Sequence, residues 1–282
     1  MSMPLYIINI PRCKDRRNHM ERLCRDHALE CRWIEGIGGK SLKDRELKAK
    51  YGDDILSKRE HLKGRSLTKA EIGCVLSHLS AYQAILSQNP KIACILEDDV
   101  LFPDHFKTLL QSIAVAVEQW DLLLLGHWSY PMPNREKGAR GKAFGVNLAP
   151  INKVTYKLTE PIEFPFSATG YCITQAAAKK MINYVFPIKA PIDWYTGSSG
   201  SMLKLRILSP PCVLPDFSFK STMTERPISM CHKPKRSWMR QHLHNLLRGM
   251  IHSVSNVNLL PKKYGLRKNR FYYFSFNNVP KK

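Results

Sequence analysis

Apolar positions along the chain come in short unbroken runs, separated by segments of helical spacing. "PLYIINI" (4–10) has the length and β-rich character of a buried strand. "KDRRNHMERLCRDHAL" follows with Met20, Leu23, Cys24 and His27 on one helical side and arginines on the other. "CRWIEGIGGKSL" (31–42) predicts a second short strand and a glycine turn. The clearest helix is "SLTKAEIGCVLSHLSAYQAILSQ". Thr68 and Glu71 fit a capping box, and Ile72, Val75, Leu76, Leu79 and Leu86 keep helical spacing. A strand "KIACIL", a helix from about Pro103 to Gln119 and a strand in "WDLLLLG" (120–126) come next. "VTYKL", "TGYCIT", the helix "QAAAKKMINYVF" and "LRIL" follow a Pro-, Gly- and charge-rich surface loop from Ser129 to Asn147. Strands that are apolar throughout, in β/α alternation, predict a mainly parallel sheet covered on both faces.

With 282 residues and 44% hydrophobic content, the chain can bury the core of one large α/β domain, with or without an appendage. The +21 formal charge is uneven: from Cys231 to Lys282 there is no Asp or Glu. That basic tail favours anionic partners, whether membrane headgroups, acidic glycolipids or nucleic acid. The eight cysteines form no C-x-x-C pair and fall mostly in apolar patterns, as free thiols do. "MSMPLYIINIPR" lacks the basic start of a secretory signal, and no window has the ~18 apolar residues of a membrane span. The expectation is a cytoplasmic protein with reduced thiols, held peripherally on the cytoplasmic face of the inner membrane.

Three acids, Glu97, Asp98 and Asp99, end the apolar strand of "KIACILEDDVLF". Strand-end carboxylates lie at the carboxyl edge of an α/β sheet, where ligands bind. Adjacent acids stay ionised together only when a cation or several donors compensate them. A hard divalent cation, Mg²⁺ or Mn²⁺, suits that geometry. Residues 97 and 99 can share one direction from extended chain while Asp98 takes the other. The plain alternative is a solvated turn whose acids cap the next helix. Asn9, Arg12, Arg16 and Arg17 follow the first strand and should project at the same edge, either to grip a diphosphate or as a solvated helix start.

Several segments, in order, together resemble glycosyltransferase family 25, which includes bacterial lipooligosaccharide galactosyltransferases and, more distantly, collagen galactosyltransferases. They are "NIPRCKDRR", "EGIGGKSL", "AEIGCVLSHLSAYQAIL", "ILEDDVLF", "WDLLLLG" and "ATGYCITQAAAKKMI" with "PIDWY". The resemblance implies a GT-A-like single domain over residues 1–230. About 1–125 would be its nucleotide-sugar half and 126–230 its acceptor half; the basic helical C-terminal tail, 231–282, is read from composition and has no counterpart in the resemblance. It implies inverting transfer of a sugar, commonly galactose from a UDP-sugar donor, to a lipid-linked oligosaccharide acceptor. Asp99 would bind Mn²⁺ or Mg²⁺, and Glu97 would contact the ribose or the metal's shell. Asp193 would be the base or position the acceptor, with capping of "WYTGSSG" as the alternative and Glu163 in reserve. Ser77 and His78 match the family's Ser-His pair, so His78 either faces the site or is packed. Gly36 and Gly38 stand where the family often has Ala and Asp. His232 is a further conceivable ligand, though "CHKPKR" belongs more simply to the tail.

In the tail, Met239, Leu243, Leu246, Leu247, Met250 and Val254 line one helical side, and Arg240, His244, Arg248 and His252 recur on the other. This fits either an anchor on anionic lipid or a helix packed on the domain. Two competing functions remain. A Mg²⁺-dependent phosphohydrolase would want an acidic nucleophile after the first strand, where "NIPR" stands. A basic nucleic-acid-binding protein could use "RKNRFYYFSF" but leaves the acids unexplained.

Overall fold

Alternation along each strand explains the unbroken apolar runs. In β1 (Leu5–Asn9), Leu5 and Ile7 enter one core while Tyr6 and Ile8 enter the other. In β3 (Ile92–Glu97), Ile92, Cys94 and Leu96 join the first core, and Ala93 and Ile95 the second. A strand covered on both faces has no solvent side on which to place polar residues. The computed structural model from which this is read describes residues 3–56, 66–129, 138–141, 145–151 and 153–222.

Among the described residues the sheet has eight strands in the order β2–β1–β3–β8–β5–β9–β7–β6. The further strands are β2 (Cys31–Glu35), β5 (Leu122–Leu124), β6 (Val146–Asn147), β7 (Lys157–Thr159), β8 (Gly170–Thr174) and β9 (Leu205–Ser209). β1 pairs in parallel with β2 and β3, and β5 with β9. β8 lies antiparallel between β3 and β5, and β7 is antiparallel to both β9 and β6. Six of the eight strands therefore run one way, and the sheet is mainly parallel in direction. Because β8 joins β3 to β5, residues before and after 126 share one continuous sheet.

One core is closed by α3 (Lys69–Gln88) and α5 (Gln175–Val185), with Leu47 of α2 (Asp44–Tyr51) and Tyr195 of α6 (Ile192–Ser198) at its margins. The other is closed by α1 (Lys14–Asp26) and α4 (Phe106–Val115), through Met20, Cys24, Phe106, Leu109 and Ile113. Each such side chain contributes about 1.5–3 kcal/mol on burial. α3 starts where its sequence says it should. Thr68 Oγ1 accepts from the Glu71 N–H at 3.1 Å, and Glu71 Oε2 accepts from the Thr68 N–H at 2.9 Å. It stops at Asn89, whose left-handed backbone (φ 57°) ends the helix.

Three features differ from the sequence pattern. α4 begins at Phe106 rather than Pro103, because residues 103–106 first close a turn in which the Phe106 N–H donates to the Pro103 carbonyl (2.9 Å). α2 escaped prediction because Leu47 is its single buried residue among lysines and acids, which leaves no apolar period to see. A small second sheet pairs β4 (Val100–Leu101) with β10 (Leu214–Pro215) directly beside the three acids. The seven described cysteines are free, and no helix among the described residues is long and apolar enough to cross a membrane. The tail helix, His232 and most of the expected 129–147 loop lie outside the described residues.

Candidate active site

The alternation that fills the two cores also sorts the acids. Glu97 continues the α3-side register of Ala93 and Ile95, and Asp98 the α1-side register of Cys94 and Leu96. Asp98 accordingly turns into the protein and is buried, while the Glu97 side chain stays 30% exposed. The strand ends at Glu97, so Asp99 no longer follows the alternation. It does not simply share Glu97's direction but reaches back to the α1 side, 25% exposed, with its backbone carbonyl accepting from the Asp216 N–H at 2.7 Å.

Arg16 sits between the acids. Its Nη1 lies 2.9 Å from Asp98 Oδ1 and 2.8 Å from Asp99 Oδ2, and Nη2 donates to the Lys220 carbonyl at 2.8 Å. Asn9 Nδ2 donates to Asp98 Oδ2 at 2.7 Å. The structure thus joins Asn9, Arg16, Asp98 and Asp99, but the Arg16 and Asn9 donors meet carboxylates of the protein itself. Burial raises the Asp98 carboxyl above its ordinary range, with Arg16 and Asn9 opposing that shift. Asp99 is pushed up to about 7, first by burial and then by Glu97 and Asp98, against the pull of Arg16. One guanidinium does not offset the negative charge gathered here. Glu97 and Asp99 are partly exposed oxygen donors, the donor type that a hard divalent cation takes.

Above the α3 face, His78 is fully buried, with Nδ1 2.9 Å from the Tyr171 hydroxyl and Nε2 3.6 Å from Glu97 Oε1. Ser77 does not face the acids. Its hydroxyl accepts from the Ile37 N–H (2.8 Å) and donates to the Gly73 carbonyl (2.7 Å), which ties the turn after β2 to α3. Arg12 is exposed beside Gly38, where a Cβ would meet its guanidinium at 2.7 Å. An acid at position 38 would have to displace that side chain. Arg17 stacks over Trp33 at 4.3 Å, and both line an open pocket of about 350 Å³ with Asn9, Pro11, Ile34 and Glu35.

Asp193 occupies the first turn of α6, where Pro191 is an extended N-cap and Thr196 Oγ1 bonds back to the Ile192 and Asp193 carbonyls. It is half-buried and close enough to Cys74 to help push that thiol up, after burial and Glu97. Glu97, Asp193 and Asp99 all act on the charge of the Cys74 thiol. Glu163 is half-buried in the segment before β8, its backbone N–H 3.4 Å from the Arg140 carbonyl. Sequence reasoning passed over Cys74, whose signal was its place one helical turn before His78 in "GCVLSH". It also passed over residues 216–220, which carry no motif and arrive only through the β4–β10 pairing.

Comparison with known proteins bears on this arrangement. The profile of glycosyltransferase family 25 (LPS biosynthesis protein) matches residues 2–196. Procollagen galactosyltransferase 2 of Homo sapiens is 28% identical over 182 residues, 63% of this chain and 27% of that protein. Procollagen galactosyltransferase 1-A of Xenopus laevis is 27% identical over 195 residues, 67% of this chain and 30% of that protein. Inactive glycosyltransferase 25 family member 3 of Homo sapiens is 28% identical over 141 residues, 49% of this chain and 24% of that protein. The chain spans less than a third of the length of these curated relatives. Among solved structures, mannose-1-phosphate geranyltransferase from Thermus thermophilus aligns over 73% of each chain at TM-score 0.32 and 12% identity, a likeness too slight to bear on the fold.

Proposed function

The chain belongs to glycosyltransferase family 25, and from that premise we propose that it transfers a sugar from a nucleotide-sugar donor to a saccharide hydroxyl. The donor sugar in this reading is galactose from UDP-galactose, on a GT-A-type fold. The acceptor is a lipid-linked lipooligosaccharide or lipopolysaccharide saccharide, met at the cytoplasmic face of a membrane. The galactosyltransferase names of the relatives and the family's description support this choice.

The observation that carries the reading is the grouping at the end of β3 of Glu97, Asp98 and Asp99 around the single guanidinium of Arg16, with Glu97 and Asp99 partly exposed. Glu97 and Asp99 would hold Mn²⁺ or Mg²⁺, which stabilises the charge that grows on a departing nucleoside diphosphate. Asn9 and Arg16 keep Asp98 turned inward and the acidic edge in place. Arg12 and Arg17 supply exposed cations for the diphosphate, and the Arg17–Trp33 stack offers a flat surface to the nucleotide. Asp193 accepts the proton of the acceptor hydroxyl as its oxygen attacks the anomeric carbon opposite the leaving group, which inverts the configuration.

Because one matched relative is named inactive, turnover itself is the deciding measurement. Purified protein with Mn²⁺, a panel of nucleotide sugars and saccharide acceptors should release nucleotide from one donor, and Asp99→Ala should abolish that release. Thermal stabilisation by a donor without turnover would leave a binding protein and refute transfer. No effect of any nucleotide sugar would refute the whole reading.

A further inference from the structure

Cys74 and His78 stand one helical turn apart, so both leave the same side of α3. The tie from Ser77 to Ile37 and the close approach of Gly73 to the Ile37 carbonyl hold that part of the helix in place. The Tyr171 hydroxyl donates to the Tyr82 hydroxyl at 2.8 Å and so accepts from His78 Nδ1–H at 2.9 Å. In the neutral ring that arrangement leaves the lone pair on Nε2. Among the described residues Nε2 is buried without a hydrogen-bond partner, and it lies 3.6 Å from Glu97 Oε1. A buried lone pair facing a carboxylate oxygen is unfavourable unless a positive centre, a proton or a metal ion, joins them. Cys74 Sγ lies 3.7 Å from the same oxygen, and the three donor atoms all fall within 4.8 Å of one another.

We propose that Cys74 Sγ, His78 Nε2 and Glu97 Oε1 form a binding site for a thiophilic divalent cation of the zinc class. Tetrahedral Zn²⁺ with ordinary bond lengths sets N···O and S···O separations of about 3.4 and 3.6 Å. The observed 3.6 and 3.7 Å need adjustments of only a few tenths of an ångström, and Sγ and Nε2, within 4.8 Å of each other, would close toward about 3.6 Å. A thiolate with an imidazole selects Zn²⁺ over Mg²⁺ or Mn²⁺, so this site differs in chemistry from the oxygen-donor site proposed at Glu97 and Asp99. The Tyr171–Tyr82 chain supplies the outer hydrogen bonding that orients a metal-bound imidazole. Three protein ligands would leave a fourth position open to water or another donor. The site shares Glu97 with the transfer reading but stands whether or not sugar transfer does.

Co²⁺, which reports thiolate ligation by a sulfur-to-metal charge-transfer band, is the probe. Added to the full-length metal-free protein, it should give that band and the visible bands of a tetrahedral ion, and Zn²⁺ should bleach both. Cys74→Ser should remove the charge-transfer band, Cys231→Ser should leave it, and His78→Ala should weaken Co²⁺ binding at least about tenfold. In the wild-type protein, Zn²⁺ but not Mg²⁺ should protect Cys74 from alkylation, read by peptide mass spectrometry. That arm remains decisive if Cys74→Ser fails to fold. No charge-transfer band, a band that survives in folded Cys74→Ser, or equal alkylation of Cys74 with and without Zn²⁺ would each overturn the site. None of these readouts depends on turnover.

Discussion

Replacing Arg16 with leucine withdraws one guanidinium from three oxygens at once: Asp98 Oδ1 at 2.9 Å, Asp99 Oδ2 at 2.8 Å and the Lys220 carbonyl at 2.8 Å. The Arg16 and Asp98 side chains are 7% and 8% exposed, so water cannot replace the lost partner. Asp98 would keep the Asn9 amide, at 2.7 Å, as its side-chain donor. Removing one member of a buried ion pair costs about 3–5 kcal/mol, mostly because the other charge is stranded. With a urea m-value of roughly 2–3 kcal/mol/M, the unfolding midpoint should fall by about 1–2 M. Asp98→Asn removes the stranded charge, so the double variant Arg16→Leu/Asp98→Asn should lose at least ~1 kcal/mol less than the two single losses added together. Equilibrium urea unfolding followed by tryptophan fluorescence and circular dichroism measures all four proteins. A midpoint shift under ~0.5 M for Arg16→Leu, or strict additivity in the double variant, would refute the keystone role. Arg16 would then be free to serve the donor diphosphate, as its sequence position suggests.

Gly73→Ala tests the seam between α3 and the turn after β2. Alanine gains up to about 1 kcal/mol of helix propensity, yet its Cβ would stand 2.3 Å from the Ile37 carbonyl oxygen. A net loss of about 1–3 kcal/mol should follow, and a more stable variant in thermal melts would show that the seam gives way freely. His127 supplies a pH test. Burial lowers its pKa from 6.5 to about 4, with Nε2–H donating to the Leu208 carbonyl and Nδ1 accepting from the Ala139 N–H. Between those two values the unfolded chain binds a proton that the folded one refuses. Stability is therefore lost as pH falls through this window, by up to about 3 kcal/mol. Urea midpoints near pH 7 and pH 4.5 should separate further in the wild type than in His127→Gln, and equal separations would contradict the assignment. Asp193→Asn should cut transfer by about 10²–10⁴-fold while donor-induced thermal stabilisation persists. Loss of donor binding in a folded variant would remove Asp193 from the role of base.

Local rules account for much of the architecture. Apolar runs of strand length, one complete capping box and a charge-free stretch ending in three acids are enough to place β1, β3, α1, α3 and the carboxyl-edge location of Glu97, Asp98 and Asp99. These features rest on neighbours within a turn or a strand, and their chemistry is written in consecutive residues. The pairing of each acid is not local. Asn9 and Asp98 are 89 positions apart, and Arg16 meets the Lys220 carbonyl across 204. Those contacts exist because β1 and β3 are neighbours in the sheet and β10 returns to β4.

The sequence by itself determined a two-faced α/β sheet with an acidic strand end, because helix and strand periods and caps are short-range physics. Strand alternation already set Asp98 apart from Glu97, but only the tertiary structure decided what each acid meets, because that depends on which helix closes each face of β3. It sent Asp98 to the arginine of α1 and Glu97 to the thiol and imidazole of α3. Three consecutive letters of one charge thereby came to face two different sets of partners.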